Sequence, residues 1–137
     1  MHIGGEKLAS VSFENQSFTF FNNGYGSTET TIFATSYPVN KKEDNIPIGK
    51  ALDNMKLYVV NLAEPRVLFG TLGELLITWS QVGDGYLNRP EKTAEVFITN
   101  FFDDSKPYMY KTGDVVRYRH DGTIEFIFSQ TLFALVD

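Results

Sequence analysis

Two short stretches hold residues whose types and spacing suit chemistry. In "NNGYGSTETTIF", Asn22 to Phe33, the ring of Tyr25 lies between two glycines and is followed by four hydroxyls and one carboxylate. Glycines let a ligand approach the backbone closely, and an aromatic ring offers a flat face to stack on. Backbone amides after Gly26, with the hydroxyls of Ser27 and Thr28, could receive an anion at a helix start. Glu29 would repel that anion unless a hard cation such as Mg²⁺ sat between them, since Mg²⁺ takes carboxylate and phosphate oxygens together. The second stretch is "YKTGD", where Asp114 follows Thr112 and Gly113. Taken singly, each stretch is more often an ordinary surface turn, the first with a helix cap and the second with an Asp that accepts turn hydrogen bonds.

The elements that must position these residues are mainly strands. "SFTFFNN" is aromatic and β-prone and runs into the glycine turn. "TETTIFATSY" is expected to begin a short helix capped by Ser27 or Thr28, and "VNKKEDN" is a charged link bracketed by Pro38 and Pro47. "MKLYVVN" alternates Met55, Leu57 and Val59 on one face, and "GELLITW" does the same with Leu75, Ile77 and Trp79. Both read as half-buried strands, paired antiparallel across a connection rich in Pro and Gly. "LNRPEKTAEVF" predicts a short helix with Pro90 in its first turn and Ala94 and Phe97 on one side. "DVVRYRHDGTIEFIF" predicts a hairpin that turns at Asp121 and Gly122, with Val116 and Tyr118 before the turn and Ile124, Phe126 and Phe128 after it.

Composition narrows the function classes. The sequence has 137 residues, 42% of them hydrophobic, enough for one modest core. A net charge of -5 offers no basic surface to nucleic acid. With no cysteine, thiol catalysis and thiolate metal sites are excluded. No apolar run approaches a bilayer span and the first residues are unlike a signal peptide, so neither membrane nor nucleic acid is an expected partner and the expected location is cytoplasmic. Strongly apolar residues close the sequence, an end that would need a partner surface.

Six blocks follow one another in a fixed order: "GGEKL" at 4–8, "NGYGSTE" at 23–29, "IPIGKAL" at 46–52, "GELLI" at 73–77, "GYLNRPEKTAEVF" at 85–97 and "YKTGD" at 110–114. On these blocks the sequence resembles the adenylation domains of nonribosomal peptide synthetases, within the superfamily of adenylate-forming enzymes. Asn23 and "NRPEKTAEVF" match the amino-acid-activating branch. The resemblance implies a mixed α/β, strand-rich fold: a piece of the large N-terminal lobe of an adenylate-forming enzyme, including its distorted β-barrel subdomain. Residues 1–44 would close the α/β subdomain and carry the nucleotide-binding turn, 45–128 would form the barrel-like part, and 129–137 diverge.

The family's activity is ATP-dependent activation of an amino acid as its adenylate, followed by transfer to the pantetheine thiol of a carrier domain. The resemblance assigns adenine stacking to Tyr25, a hydrogen bond to the adenine edge to Asn23, and backbone packing on the other face of the base to Gly5. It gives Thr28 a contact to the α-phosphate, Asp114 the ribose hydroxyls and Glu29 the Mg²⁺ ion. His2, Gly4, Gly24, Ile32 and Phe33 fall on positions that line the amino-acid side-chain pocket, with room for a mid-sized or large side chain that is not strongly charged. Carrier and condensation domains are the implied partners in a parent synthetase.

Departures from the pattern are Ser27 in place of the usual Pro, and Phe128 and Ser129 where a hinge Gly and Arg would stand. The family's phosphate loop, amine-clamping Asp and late catalytic Lys find no match, so the bare chain is expected to be an inactive inner fragment. Another adenylate-forming ligase, such as an acyl-CoA synthetase, and a non-catalytic interaction module with vestigial motifs stay open as alternatives.

Overall fold

A computed structural model describes residues 2–3, 21–27, 33–40, 43–61, 69–79 and 88–130. Strands dominate, in two sheets. The first contains β1 (His2–Ile3), β2 (Phe21–Tyr25), β3 (Thr35–Val39) and β4 (Lys50–Ala51), in that order. β1 runs parallel to β2 and the other pairs are antiparallel.

The helix expected to begin in "TETTIFATSY" is not what its described end forms, because Thr35 to Tyr37 belong to β3. The β-branched and aromatic residues that weaken a helix suit a pleated strand, and β2 and β4 take up the backbone on either side. The buried Thr35 hydroxyl donates to the Ile48 carbonyl at 2.5 Å, which ties the strand to the next segment. β4 pairs only with Thr35 and Ser36, so Pro38 lies beyond that ladder, where a missing N–H is tolerated.

The second sheet contains β5 (Met55–Val60), β6 (Leu72–Trp79), β7 (Phe97–Thr99), β8 (Tyr108–Tyr118) and β9 (Ile124–Ser129). β5 pairs antiparallel with β6, with Met55 opposite Trp79, Leu57 opposite Ile77 and Val59 opposite Leu75. The two alternating patterns therefore meet on one face, where cross-strand neighbours reinforce each other. β6 then pairs with β8, whose other edge is shared end to end by β7 and β9.

The β8–β9 hairpin turns at Asp121 and Gly122 as expected. Asp121 Oδ1 accepts hydrogen bonds from the Thr123 N–H at 2.9 Å and the Thr123 hydroxyl at 2.6 Å, which stabilise the turn. Val116 and Ile124 are buried, whereas Phe128 is exposed.

Between β6 and β7 in the chain, α1 (Pro90–Val96) starts with Pro at its first position, but it is shorter than its pattern. Phe97 opens β7 opposite Tyr110, and Ala94 is exposed, so the two do not form one helical face. Strand pairing with β8 wins over helix continuation at Phe97.

One apolar cluster joins both sheets, with Ala34 and Ile48 from the segments that lead into β3 and β4 and Val59, Leu75, Ile77, Trp79, Tyr110, Val116 and Ile124 from the second sheet. The backbone stitch lies at Gly49, which bridges to Ile124. The Ile124 N–H donates to the Gly49 carbonyl and the Ile48 N–H to the Ile124 carbonyl, both at 2.8 Å. Gly49 has φ 98°, and a Cβ there would sit 2.0 Å from the Ser36 carbonyl oxygen, so only glycine permits this junction. A polar clamp adds to it: Arg119 donates to Glu43 at 2.9 Å and to the Asn45 carbonyl, while Glu43 also accepts from Tyr37 at 2.7 Å.

On the other face of the second sheet, the turn after β7 folds back over β5. Phe102 stacks on Tyr58 with ring centroids 4.4 Å apart, and Asp103 pairs with Lys56. Asn100 Oδ1 accepts from the Phe102 and Asp103 N–H groups and holds the turn in shape.

Candidate functional site

β2 separates its functional residues by its period of two. Asn23 and Tyr25 face one way and Gly24 the other. Asn23 is buried and its Nδ2 donates to the Pro47 carbonyl at 2.8 Å, so part of its hydrogen-bonding capacity already joins β2 to the segment before Gly49. Its Oδ1 and second amide hydrogen are the atoms it has to offer a ligand.

The Tyr25 hydroxyl donates to Asp114 Oδ2, bringing together two residues far apart in sequence and on different sheets. Burial pushes the Tyr25 phenol far above its ordinary value, and the neighbouring Asp114 charge and the hydrogen bond to it push the same way. A smaller opposing effect comes from the Thr112 hydroxyl beside it. Tyr25 is thus a neutral donor at any physiological pH. The bond uses Asp114 Oδ2, and among the described residues none donates to Oδ1.

Asp114 reaches this position from an irregular stretch of β8. Glu74 pairs with Val115 and Leu76 with Lys111, so Leu75 alone stands opposite Thr112, Gly113 and Asp114. Two extra residues make a bulge, a device that re-aims side chains out of a ladder. Gly113 has φ 72°, a conformation costly to residues with a Cβ. Three bonds hold the loop of backbone: Thr112 Oγ1 donates to the Leu75 carbonyl at 2.8 Å, the Asp114 N–H donates to Thr112 Oγ1 at 3.0 Å, and the Gly113 N–H donates to Glu74 Oε1 at 3.2 Å.

On the opposite side of β2, the space that Gly24 leaves is occupied. A Cβ at that position would lie 2.7 Å from the Phe33 ring, so the aromatic side chain already fills the gap left by the glycine. The two residues meet, and the room at Gly24 is taken up by Phe33. His2 lies in β1 opposite Asn22. Gly4, Gly5, Thr28, Glu29 and Ile32 lie outside the described residues.

Among the described residues no three His, Asp or Glu side chains group to hold a metal ion. No described helix is long and apolar enough to cross a membrane. Sequence reasoning did not single out Glu74 and Thr112, although both lie inside the quoted blocks "GELLI" and "YKTGD". The hydrogen bonds they make depend on a bulge that no local pattern announces.

Chemically, the pair offers an aromatic ring beside a carboxylate with an oxygen to spare. A flat heterocycle carrying a vicinal diol fits both, since a carboxylate can accept from two adjacent hydroxyls.

Comparison with known proteins identifies the family. A family model described as "AMP-binding enzyme" matches residues 1–87. Bacitracin synthase 1 of Bacillus licheniformis is 44% identical over 124 residues, covering 90% of this chain and 2% of that protein. Tyrocidine synthase 3 of Brevibacillus parabrevis is 44% identical over 130 residues, covering 90% of this chain and 2% of that protein. Among solved structures, NpsA-ThdA, an artificially fused adenylation-PCP di-domain NRPS from Klebsiella oxytoca, superimposes with a TM-score of 0.80 at 26% identity, covering 93% of this chain and 25% of that one. The chain thus spans 2% of the length of either synthase and 25% of the di-domain protein.

Proposed function

Since the chain belongs to the AMP-binding enzyme family and is similar to adenylation domains of nonribosomal peptide synthetases, we propose that it supplies the nucleoside-contacting wall of an amino-acid-activating domain. The observation that carries this reading is the hydrogen bond from Tyr25 to Asp114. It sets an aromatic face and a diol-accepting carboxylate side by side, as adenine and ribose of one ATP molecule require.

In this reading Tyr25 stacks on adenine, Asn23 offers its remaining amide hydrogen or its carbonyl to the base edge, and Asp114 accepts from the ribose hydroxyls through Oδ1. Because the phenol stays protonated, it keeps donating to Asp114 and adds no second negative charge beside the phosphates. The reaction joins the amino-acid carboxylate to the α-phosphate and releases pyrophosphate. Mg²⁺ would screen the charge that develops there, with Glu29 its protein ligand by resemblance and Thr28 near the α-phosphate. The acyl group would pass to the pantetheine of a carrier domain, with a condensation domain downstream in function. Gly24 and Phe33 bound the amino-acid side chain. With the ring filling the space beside the glycine, the pocket there is shallower than two glycines suggest.

The test is to exchange this segment for the matching segment of a peptide synthetase adenylation domain and measure amino-acid-dependent pyrophosphate exchange. Activity that survives the exchange and falls at least a hundred-fold in Asp114→Ala and Tyr25→Ala supports the reading. An active chimera indifferent to both substitutions would sink it.

A further inference from the structure

We propose that Glu74 and Thr112 are positioning residues that set the Asp114 carboxylate for the ribose; the proposal rests on the nucleotide reading above. By the period of two, Tyr110, Thr112, Asp114 and Val116 would all face the core if β8 were regular. Tyr110 and Val116 do so and are buried, while Thr112 and Asp114 stay half-buried at the rim. The bulge makes that difference.

No backbone ladder holds the bulge. On one side, pairing to β6 stops at Lys111 and resumes at Val115. On the other, β7 covers Tyr108 to Tyr110 and β9 begins opposite Asp114, so Lys111 to Gly113 fall in the gap between two partner strands. Backbone groups that lose ladder partners need others, and here side chains provide them. Glu74 accepts the Gly113 N–H, and Thr112 both donates to the Leu75 carbonyl and accepts from the Asp114 N–H. Thr112 therefore binds the two sides of the bulge through one oxygen, directly beneath the residue whose carboxylate meets Tyr25. Removing either side chain leaves the backbone free to relax, and the carboxylate moves with it. Neither residue needs to touch the ligand.

The chemistry predicts which replacements are tolerated. Gln at 74 keeps a carbonyl acceptor for the Gly113 N–H, and Ser at 112 keeps both hydroxyl bonds. Leu at 74 and Val at 112 keep most of the volume and lose the bonds.

The experiment titrates the 137-residue chain with AMP and with 2′,3′-dideoxy-AMP, followed by amide chemical shifts in NMR, which read weak binding directly. Wild type is expected to prefer AMP. Thr112→Val and Glu74→Leu should lower AMP affinity about tenfold and leave dideoxy-AMP affinity unchanged, so that the preference disappears, and the Gly113 and Asp114 amides should exchange with solvent at least tenfold faster. Thr112→Ser and Glu74→Gln should retain the preference. A purely structural role would lower both affinities together and leave their ratio intact, and that result would overturn the proposal. So would full retention of the preference in Thr112→Val and Glu74→Leu. If wild type itself shows no AMP preference, the nucleotide reading fails and the positioning role falls with it, an outcome distinct from the other two.

Discussion

Tyr25 and Asp114 meet at one hydrogen bond but are held there by opposite means. Tyr25 stands on a regular strand: β2 pairs with β3 along its whole length and with β1 at Asn22 and Asn23, its side chains alternate, and the position of Tyr25 follows from ladder geometry. Asp114 stands where the ladder fails, at a two-residue bulge between two partner strands, and side-chain hydrogen bonds do the work of the sheet. A regular strand gives a rigid platform that tolerates little crowding. A bulge gives a direction no regular strand can offer, and it depends on a few specific polar groups.

The largest effect is expected where the two settings are brought together. Gly49→Ala places a Cβ 2.0 Å from a backbone oxygen at the junction of the sheets, in a conformation that disfavours any side chain. Overpacking and backbone strain combined should cost about 3 kcal/mol or more, read as a lowered urea midpoint and loss of the Tyr25–Asp114 bond.

Next come substitutions that break one setting at a time. Gly24→Ala drives a Cβ to 2.7 Å from the Phe33 ring and should cost about 1–3 kcal/mol. Phe33→Leu in the same chain should recover part of that loss, because a smaller side chain can give way. Gly113→Ala should cost about 1–2 kcal/mol through its positive φ. No second substitution that shrinks a neighbour should rescue it, since the fault lies in the backbone.

Tyr25→Phe removes only the bond between the two settings and should cost about 1 kcal/mol near neutral pH. Its pH dependence has a definite sign. The folded phenol is held above its ordinary value of 10.0, so its stabilising contribution is complete below pH 10 and is lost as pH rises beyond it. The stability gap between wild type and Tyr25→Phe should therefore narrow above pH 10. Tyr37, pushed up to about 12 chiefly by its hydrogen bond to Glu43, should lose its contribution between pH 10 and about 12. Equilibrium unfolding across alkaline pH checks both.

The smallest effect serves as a control remote from either setting. Lys56, with help from Ser105, lowers the Asp103 carboxyl from 3.8 to about 2. Its contribution is present above pH 3.8 and lost as pH falls through about 2. Asp103→Asn should lower stability slightly at neutral pH, a gap that closes as pH falls from 3.8 through about 2, with AMP binding at neutral pH unaffected.

Much of the strand plan was legible. Met55, Leu57 and Val59, and Leu75, Ile77 and Trp79, carry their alternation openly because one face of each strand must leave water. The hairpin at Asp121 and Gly122 was legible because turn chemistry is local. Thr35 to Tyr37 were misread as the continuation of a helix, since nothing nearby in sequence reveals that β2 and β4 compete for that backbone. Phe97 was assigned to a helix face for the same reason, its partner Tyr110 being supplied by β8.

By itself, the sequence determined the chemical inventory: a flat ring at Tyr25, a carboxylate at Asp114, no thiol and no basic surface, in blocks whose order marks the family. Tertiary structure alone decided that ring and carboxylate touch, that Phe33 fills the space beside Gly24, and that Glu74 and Thr112 hold the bulge. The physical reason is range. Turn and strand preferences act between near neighbours, whereas a bulge exists only relative to the strand it fails to match.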